Sequence, residues 1–164
     1  AIHDAFYDEA QALLGRMVER YGKVVVLDLH SYNHRRNGPD GPCADPQGNP
    51  EVNIGTGTME RSRWTPLVDR FIVDLRNFDF LGRHLDVREN VKFFGGHFPR
   101  WIHRQFPTSV CVLSIEFKKF FMNEWTGVPD PTQLETIGRA LQSTVWGIHE
   151  ELVKLGLRGR GISA

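Results

Sequence analysis

The chain has 164 residues, of which 40% are hydrophobic, 11% aromatic and 24% charged, the make-up of one globular domain with a real core. Twenty basic residues balance twenty acidic ones, which excludes the electrostatic footprint of a general binder of nucleic acid or of an anionic membrane. No apolar run reaches the roughly 18–20 residues that cross a bilayer, and AIHDAFYDEA has neither the basic nor the apolar region of a secretory signal. Cys43 and Cys111 are too few for a disulfide framework, so a cytoplasmic, reducing setting is expected.

From Asp4 to Tyr21 the apolar residues Phe6, Ala10, Leu13, Leu14, Met17 and Val18 recur at helical spacing, and Gly22 is placed to end that helix. VVVLDL then predicts a buried strand of the parallel kind, which stops at Asp28-Leu29-His30-Ser31. Residues 31–62 are rich in Gly, Pro, Asn and Asp and read as a long loop with a short strand in EVNIGTGT. Thr65 before Pro66 predicts the N-cap and first residue of a helix through about Phe78. A connection over 81–90 leads to NVKFFGG, read as a strand, and then to a short helix over Pro99–Phe106. SVCVLSIEF predicts a second central strand. Asp130-Pro131 repeats the capping pair and opens one final helix to about Leu155, followed by a tail, RGRGISA, expected to fray. Helices alternating with buried strands predict an α/β domain of three layers, a mixed and mostly parallel sheet flanked by helices. The expectation is a single domain over residues 1–164 that lacks an N-terminal part, because Ala1 lies almost directly within a helical pattern.

Ligands of open α/β sheets gather beyond the carboxyl ends of the strands, and both central strands finish on ionisable residues. Asp28 and His30 close the first and Glu116 lies near the end of the second. A charge in an apolar strand asks for a partner, and a metal ion is one such partner. The bland alternatives are a hydrogen-bonded histidine at a strand end and an ion pair of Glu116 with Lys118, Lys119 or an arginine. His30 and His34 are spaced as in a helical zinc motif, but SYN lies between them and the local pattern is not helical. Arg35 and Arg36 could hold a substrate carboxylate, and His97 follows two glycines that let a backbone come close.

Taken together, VVVLDLHSYNHRR, NPEVNIGTGT, NVKFFGGHFPRWI and VCVLSIEFKKFFMNEWTG resemble, in order, the elements of the N-formylglutamate amidohydrolase family, over about residues 3–127. His3 sits where that family tends to have a histidine ahead of its long helix, whereas Lys92 stands where a proline is common and His97 where an aromatic residue is expected. The resemblance implies a hydrolase-like fold akin to the zinc carboxypeptidases and aspartoacylase-type deacylases. It implies a zinc-dependent hydrolysis of the amide bond of an N-acylated amino acid such as N-formylglutamate. In that reading His30 is a zinc ligand, Asp28 supports it, and Glu116 is the general base. Arg35, Arg36, Ser31, Asn33 and His97 bind the substrate. The family's other metal ligands lie in a segment upstream of the first helix, so the expected partners are a small acylated amino acid and either a second copy of the chain or the missing N-terminal segment. The alternative is a domain of the same fold that is catalytically inactive and metal-free, and binds a small molecule or regulates.

Overall fold

The computed structural model describes residues 2–156, with side chains from Asp4 onward, so the expectation for the His3 side chain and that for the RGRGISA tail lie outside what is described. Helix α1 (Ile2–Tyr21) leads into strand β1 (Val24–Tyr32), and after a long loop come β2 (Val52–Gly55) and α2 (Arg61–Asn77). Strand β3 (Val87–Glu89), α3 (His97–Gln105) and β4 (Val110–Lys118) follow, and α4 (Pro131–Ser143) and α5 (Val145–Lys154) close the order. The sheet order is β1-β4-β2-β3; β1 runs parallel to β4, β4 antiparallel to β2, and β2 parallel to β3. This is the expected α/β architecture, a mixed sheet between two helical layers.

Strand alternation divides the two faces. On one, Val52, Ile54, Cys111, Leu113, Ile115 and Phe117 join Trp64, Leu67, Phe71 and Leu75 of α2 and Ile137, Ala140, Ile148 and Leu152 of α4 and α5 in the main core. Each such large side chain taken fully out of water contributes about 1.5–3 kcal/mol. On the other face the strands change character half-way along. Val24 of β1 with Val110 and Val112 of β4 pack with Leu14 of α1 and Ile102 of α3, and Val26 lies against them. The same alternation then brings up Asp28 and His30 on β1 and Ser114 and Glu116 on β4. The helices cover the apolar half of this face, and the polar half follows toward the carboxyl ends of β1 and β4.

Three elements differ from the sequence expectation. NVKFFGG is not a strand; the strand precedes it at Val87–Glu89, and Asn90 turns out of the sheet with φ +52°. The loop N–H groups of Val91, Lys92 and Phe93 go instead to the side-chain oxygen of Asn53, at 3.0, 2.8 and 3.3 Å, while Asn53 Nδ2 donates to the Phe93 carbonyl at 2.7 Å. Helix α2 begins four residues before Thr65, whose hydroxyl donates back to the Arg61 carbonyl at 3.0 Å rather than capping, and Pro66 sits inside the helix. The last helix is two. Ser143 and Thr144 hydroxyls donate to the carbonyls of Ala140 and Leu141, both at 2.7 Å, and α5 starts afresh after Thr144. The Asp130 cap is as expected, its carboxylate accepting from the N–H groups of Thr132 and Gln133 at 3.0 and 3.1 Å.

Close packing fixes the loop over the sheet. A Cβ on Gly55 would lie 2.7 Å from the Gly95 nitrogen, and Gly95 itself, at φ +107°, takes a backbone conformation that side chains disfavour. Asn53 is fully buried in an apolar strand yet serves three donors. Stranding those donors costs about 1–3 kcal/mol each, which exceeds the about 1.5–3 kcal/mol that an apolar side chain would gain there. Asn53→Leu is therefore expected to lower the melting temperature despite its greater hydrophobicity. An unchanged or raised midpoint in thermal denaturation would refute the role given to Asn53.

Candidate active site

The parallel pairing of β1 with β4 sets His30 directly opposite Glu116 and Asp28 opposite Ser114. On the other side of β4, Asn53 is opposite Glu116 and Gly55 opposite Ser114. Five polar side chains of three adjacent strands thus share one face. His30 Nε2 lies 2.9 Å from Asp28 Oδ1, and Ser114 Oγ donates to Asp28 Oδ2 over a longer 3.4 Å. Asp28 is largely covered, at 14% side-chain exposure, whereas His30 is 50% exposed. The imidazole and the carboxylate are thus in charge contact at the end of β1. His30 is in charge contact with Asp28 at a strand end, and among the described residues Glu116 makes no ion pair with Lys118, Lys119 or an arginine: Lys118 donates to the Asn49 carbonyl instead.

Glu116 is half-buried, and this burial pushes its carboxyl above the usual carboxylate range. Asp28 adds to the shift by charge repulsion, and His30 works against it. Tyr32, beyond His30 on the same face, is buried, its hydroxyl donating to the Pro50 carbonyl and its ring meeting Phe93 edge-on at 5.4 Å.

The segment after β1 is organised by a residue that the sequence reading passed over. Glu124 accepts the backbone N–H groups of His34, at 2.8 Å, and of Arg35. Trp125 Nε1 donates to the Arg35 carbonyl at 3.1 Å, so the MNEW segment after β4 clamps the HRR segment after β1. His34 is buried at 8% exposure, its Nδ1 has no hydrogen-bond partner among the described residues, and burial pushes its imidazolium pKa down. Two clefts of about 470 and 390 Å³ open at this end of the sheet, both lined by His34, Arg35 and Met122. Asn53 is the other residue missed. Its signal was present, since an amide inside VNIG needs the same explanation that Asp28 and Glu116 demanded.

The expected substrate-binding residues are distributed unevenly. Ser31 alternates onto the opposite face from His30, with Phe117 as its register partner. Asn33 is exposed just beyond β1. Arg35 directs Nη1 to the Gly41 carbonyl at 2.8 Å, within its own loop. Arg36 is exposed, and its charge bears on Lys92. His97 opens α3 and turns toward α1, where Nδ1 lies 2.8 Å from the Tyr7 hydroxyl. His30, Asp28 and Glu116 are brought together; Ser31, Arg35 and His97 are held elsewhere.

A family model described as N-formylglutamate amidohydrolase matches residues 1–122. The chain belongs to this family. The match takes in all four strands, Asp28, His30 and Glu116, and ends before α4. No curated protein and no solved structure matches the chain. By family it is an N-formylglutamate amidohydrolase-like hydrolase, and no helix among the described residues is long and apolar enough to cross a membrane.

Members of this kind imply a catalytic zinc, which typically takes three protein ligands. Among the described residues no three His, Cys, Asp or Glu side chains are grouped to share a metal ion. His30, beside Asp28 and half exposed, could supply one ligand, but the described set as a whole falls short of a zinc site.

Because the folded protein holds the Glu116 proton more tightly than the unfolded chain, this group's contribution to stability is full below the ordinary carboxyl pKa. It is lost as pH rises through the raised value. Glu116→Gln removes that loss. The variant is expected to melt above wild type at neutral pH, with the gap closing through the acid carboxyl range. A variant that melts at or below wild type at neutral pH would contradict the assigned environment.

Proposed function

We propose that the chain hydrolyses the amide bond of an N-acylated amino acid, with N-formylglutamate as the type substrate, and that Glu116 is its general base. The observation that carries this reading is the juxtaposition of the half-buried Glu116 with the Asp28–His30 pair across the β1–β4 ladder. A carboxylate whose pKa is raised toward the working pH is a better proton acceptor than an ordinary one. In the reaction Glu116 takes a proton from water as the water oxygen bonds to the acyl carbon. It then passes that proton to the amide nitrogen as the C–N bond breaks, giving formate and the free amino acid. Asp28, in charge contact with the His30 ring, favours its position beside Glu116 throughout.

Zinc is part of the proposal as a cofactor: bound with His30 among its ligands, it would polarise the amide carbonyl and acidify water. Its remaining ligands would come from outside the described residues, from a preceding segment or a second copy of the chain. Arg36, exposed at the end of β1, is the arginine best placed to meet a substrate carboxylate. A cytoplasmic setting fits a small, water-borne substrate of this class.

A second reading is a metal-free domain of the same fold that binds a small molecule or regulates. It is favoured by one observation, that no three metal-binding side chains cluster among the described residues. The two readings part on turnover and metal content. With zinc supplied, formate release from N-formyl-L-glutamate is expected for the wild type, and Glu116→Gln is expected to lower kcat by about 10²–10⁴-fold while leaving zinc content unchanged. His30→Ala is expected to lower zinc content by elemental analysis. Wild-type protein that neither holds zinc nor releases formate would favour the second reading.

A further inference from the structure

Lys92 is fastened close to Glu116. Its backbone N–H donates to Asn53 Oδ1 at 2.8 Å, and Asn53 is the register partner of Glu116 on the adjacent strand. The side chain crosses the same face as His30. Its Nζ lies 5.0 Å from the centroid of the Tyr32 ring and 5.9 Å from that of Phe93, and it donates to Asn49 Oδ1. Among the described residues the ammonium has no carboxylate partner. Partial burial pushes the Lys92 pKa down, and the charge of Arg36 lowers it further. An ammonium that rests on aromatic rings without a carboxylate partner, in the field of a further cation, is an arrangement that a bound carboxylate would relieve.

We propose that Lys92 is a specificity-determining residue that takes a carboxylate of the acylated amino acid at the end remote from the scissile amide. This rests on the hydrolase reading of Glu116 and deepens it by naming the residue that holds the substrate's remote carboxylate. An ammonium on a flexible stem suits the task, because it presents rotatable donors to a carboxylate as a point charge without demanding one planar geometry. The backbone under it is fixed by Asn53 and by the Gly55–Gly95 contact, so the charge is set by the same loop that covers the face.

The test is calorimetric titration with glutarate and with its monoamide, which differ by one carboxylate, run alongside formate release from N-formyl-L-glutamate. Wild type is expected to bind glutarate about tenfold more tightly than the monoamide, as loss of one charge-assisted hydrogen bond implies. Lys92→Met, which keeps the apolar stem on Tyr32, is expected to lose the preference, and Lys92→Arg to retain most of it. Wild-type protein that fails to bind glutarate or binds both ligands equally, or a preference that survives in Lys92→Met, overturns the assignment. A Lys92-dependent preference in a wild type that releases no formate supports the assignment and counts against the hydrolase reading alone.

Discussion

The parallel ladder between β1 and β4 is the constraint on which the rest depends. Nine residue pairs in continuous register run from Val24 opposite Val110 to Tyr32 opposite Lys118. A slip of one residue would turn every side chain of β1 to the other face. The valines at the start of both strands resist that slip, since α1 and α3 cover them, and any shift would exchange buried methyl groups for solvent. The register that packs the valines is therefore the register that sets His30 beside Glu116. Core packing at one end of the face determines the chemistry at the other.

Across β4 the antiparallel strand β2 extends the same logic. Asn53 is brought opposite Glu116 by pairing, and its buried amide then organises the loop of Val91 to Phe93. Gly55, next but one, lets the Gly95 backbone come down onto the sheet. Thr58, whose hydroxyl lies 3.0 Å from His103 Nδ1, ties this turn to α3, and His103 in turn receives the Val112 N–H at its Nε2 at 3.1 Å. The loop over the site is thus held by side chains that are themselves buried, which is how a short segment without regular structure keeps one geometry. At the far end, Glu124 does similar work for the HRR turn. Here the ends of β1 and β4 are joined by a carboxylate on backbone N–H groups, not by the sheet.

The α/β class, the two central strands and the polar ends of both were legible in the sequence because apolar runs interrupted by Asp28, His30 and Glu116 carry their own signal. The family was legible for a related reason: four spaced elements in order are far more specific than any single one. What stayed hidden depends on partners distant in the chain. NVKFFGG has the composition of a strand, but its N–H groups are claimed by Asn53, about forty residues away, and no local pattern encodes that. Thr65-Pro66 has the look of a helix start, yet α2 gains more by beginning at Arg61, whose guanidinium holds Glu89 at 2.7 Å. Glu124 was in plain view within MNEW, but a carboxylate that serves backbone groups leaves no periodic trace. The placements of Ser31 and His97 follow from strand alternation and from the packing of α3 on α1, neither of which spacing alone could supply.

The electrostatic coupling between Glu116 and His30 is the centre of this account, and carbon-13 NMR of the Glu116 side-chain carboxyl through a pH titration reads it directly. The carboxyl is expected to titrate above the ordinary glutamate range in the wild type. Because His30 favours the charged form, the midpoint should move higher still in His30→Ala. A Glu116 carboxyl that titrates as an ordinary glutamate, and is indifferent to the loss of His30, would contradict the pairing on which the proposed chemistry stands.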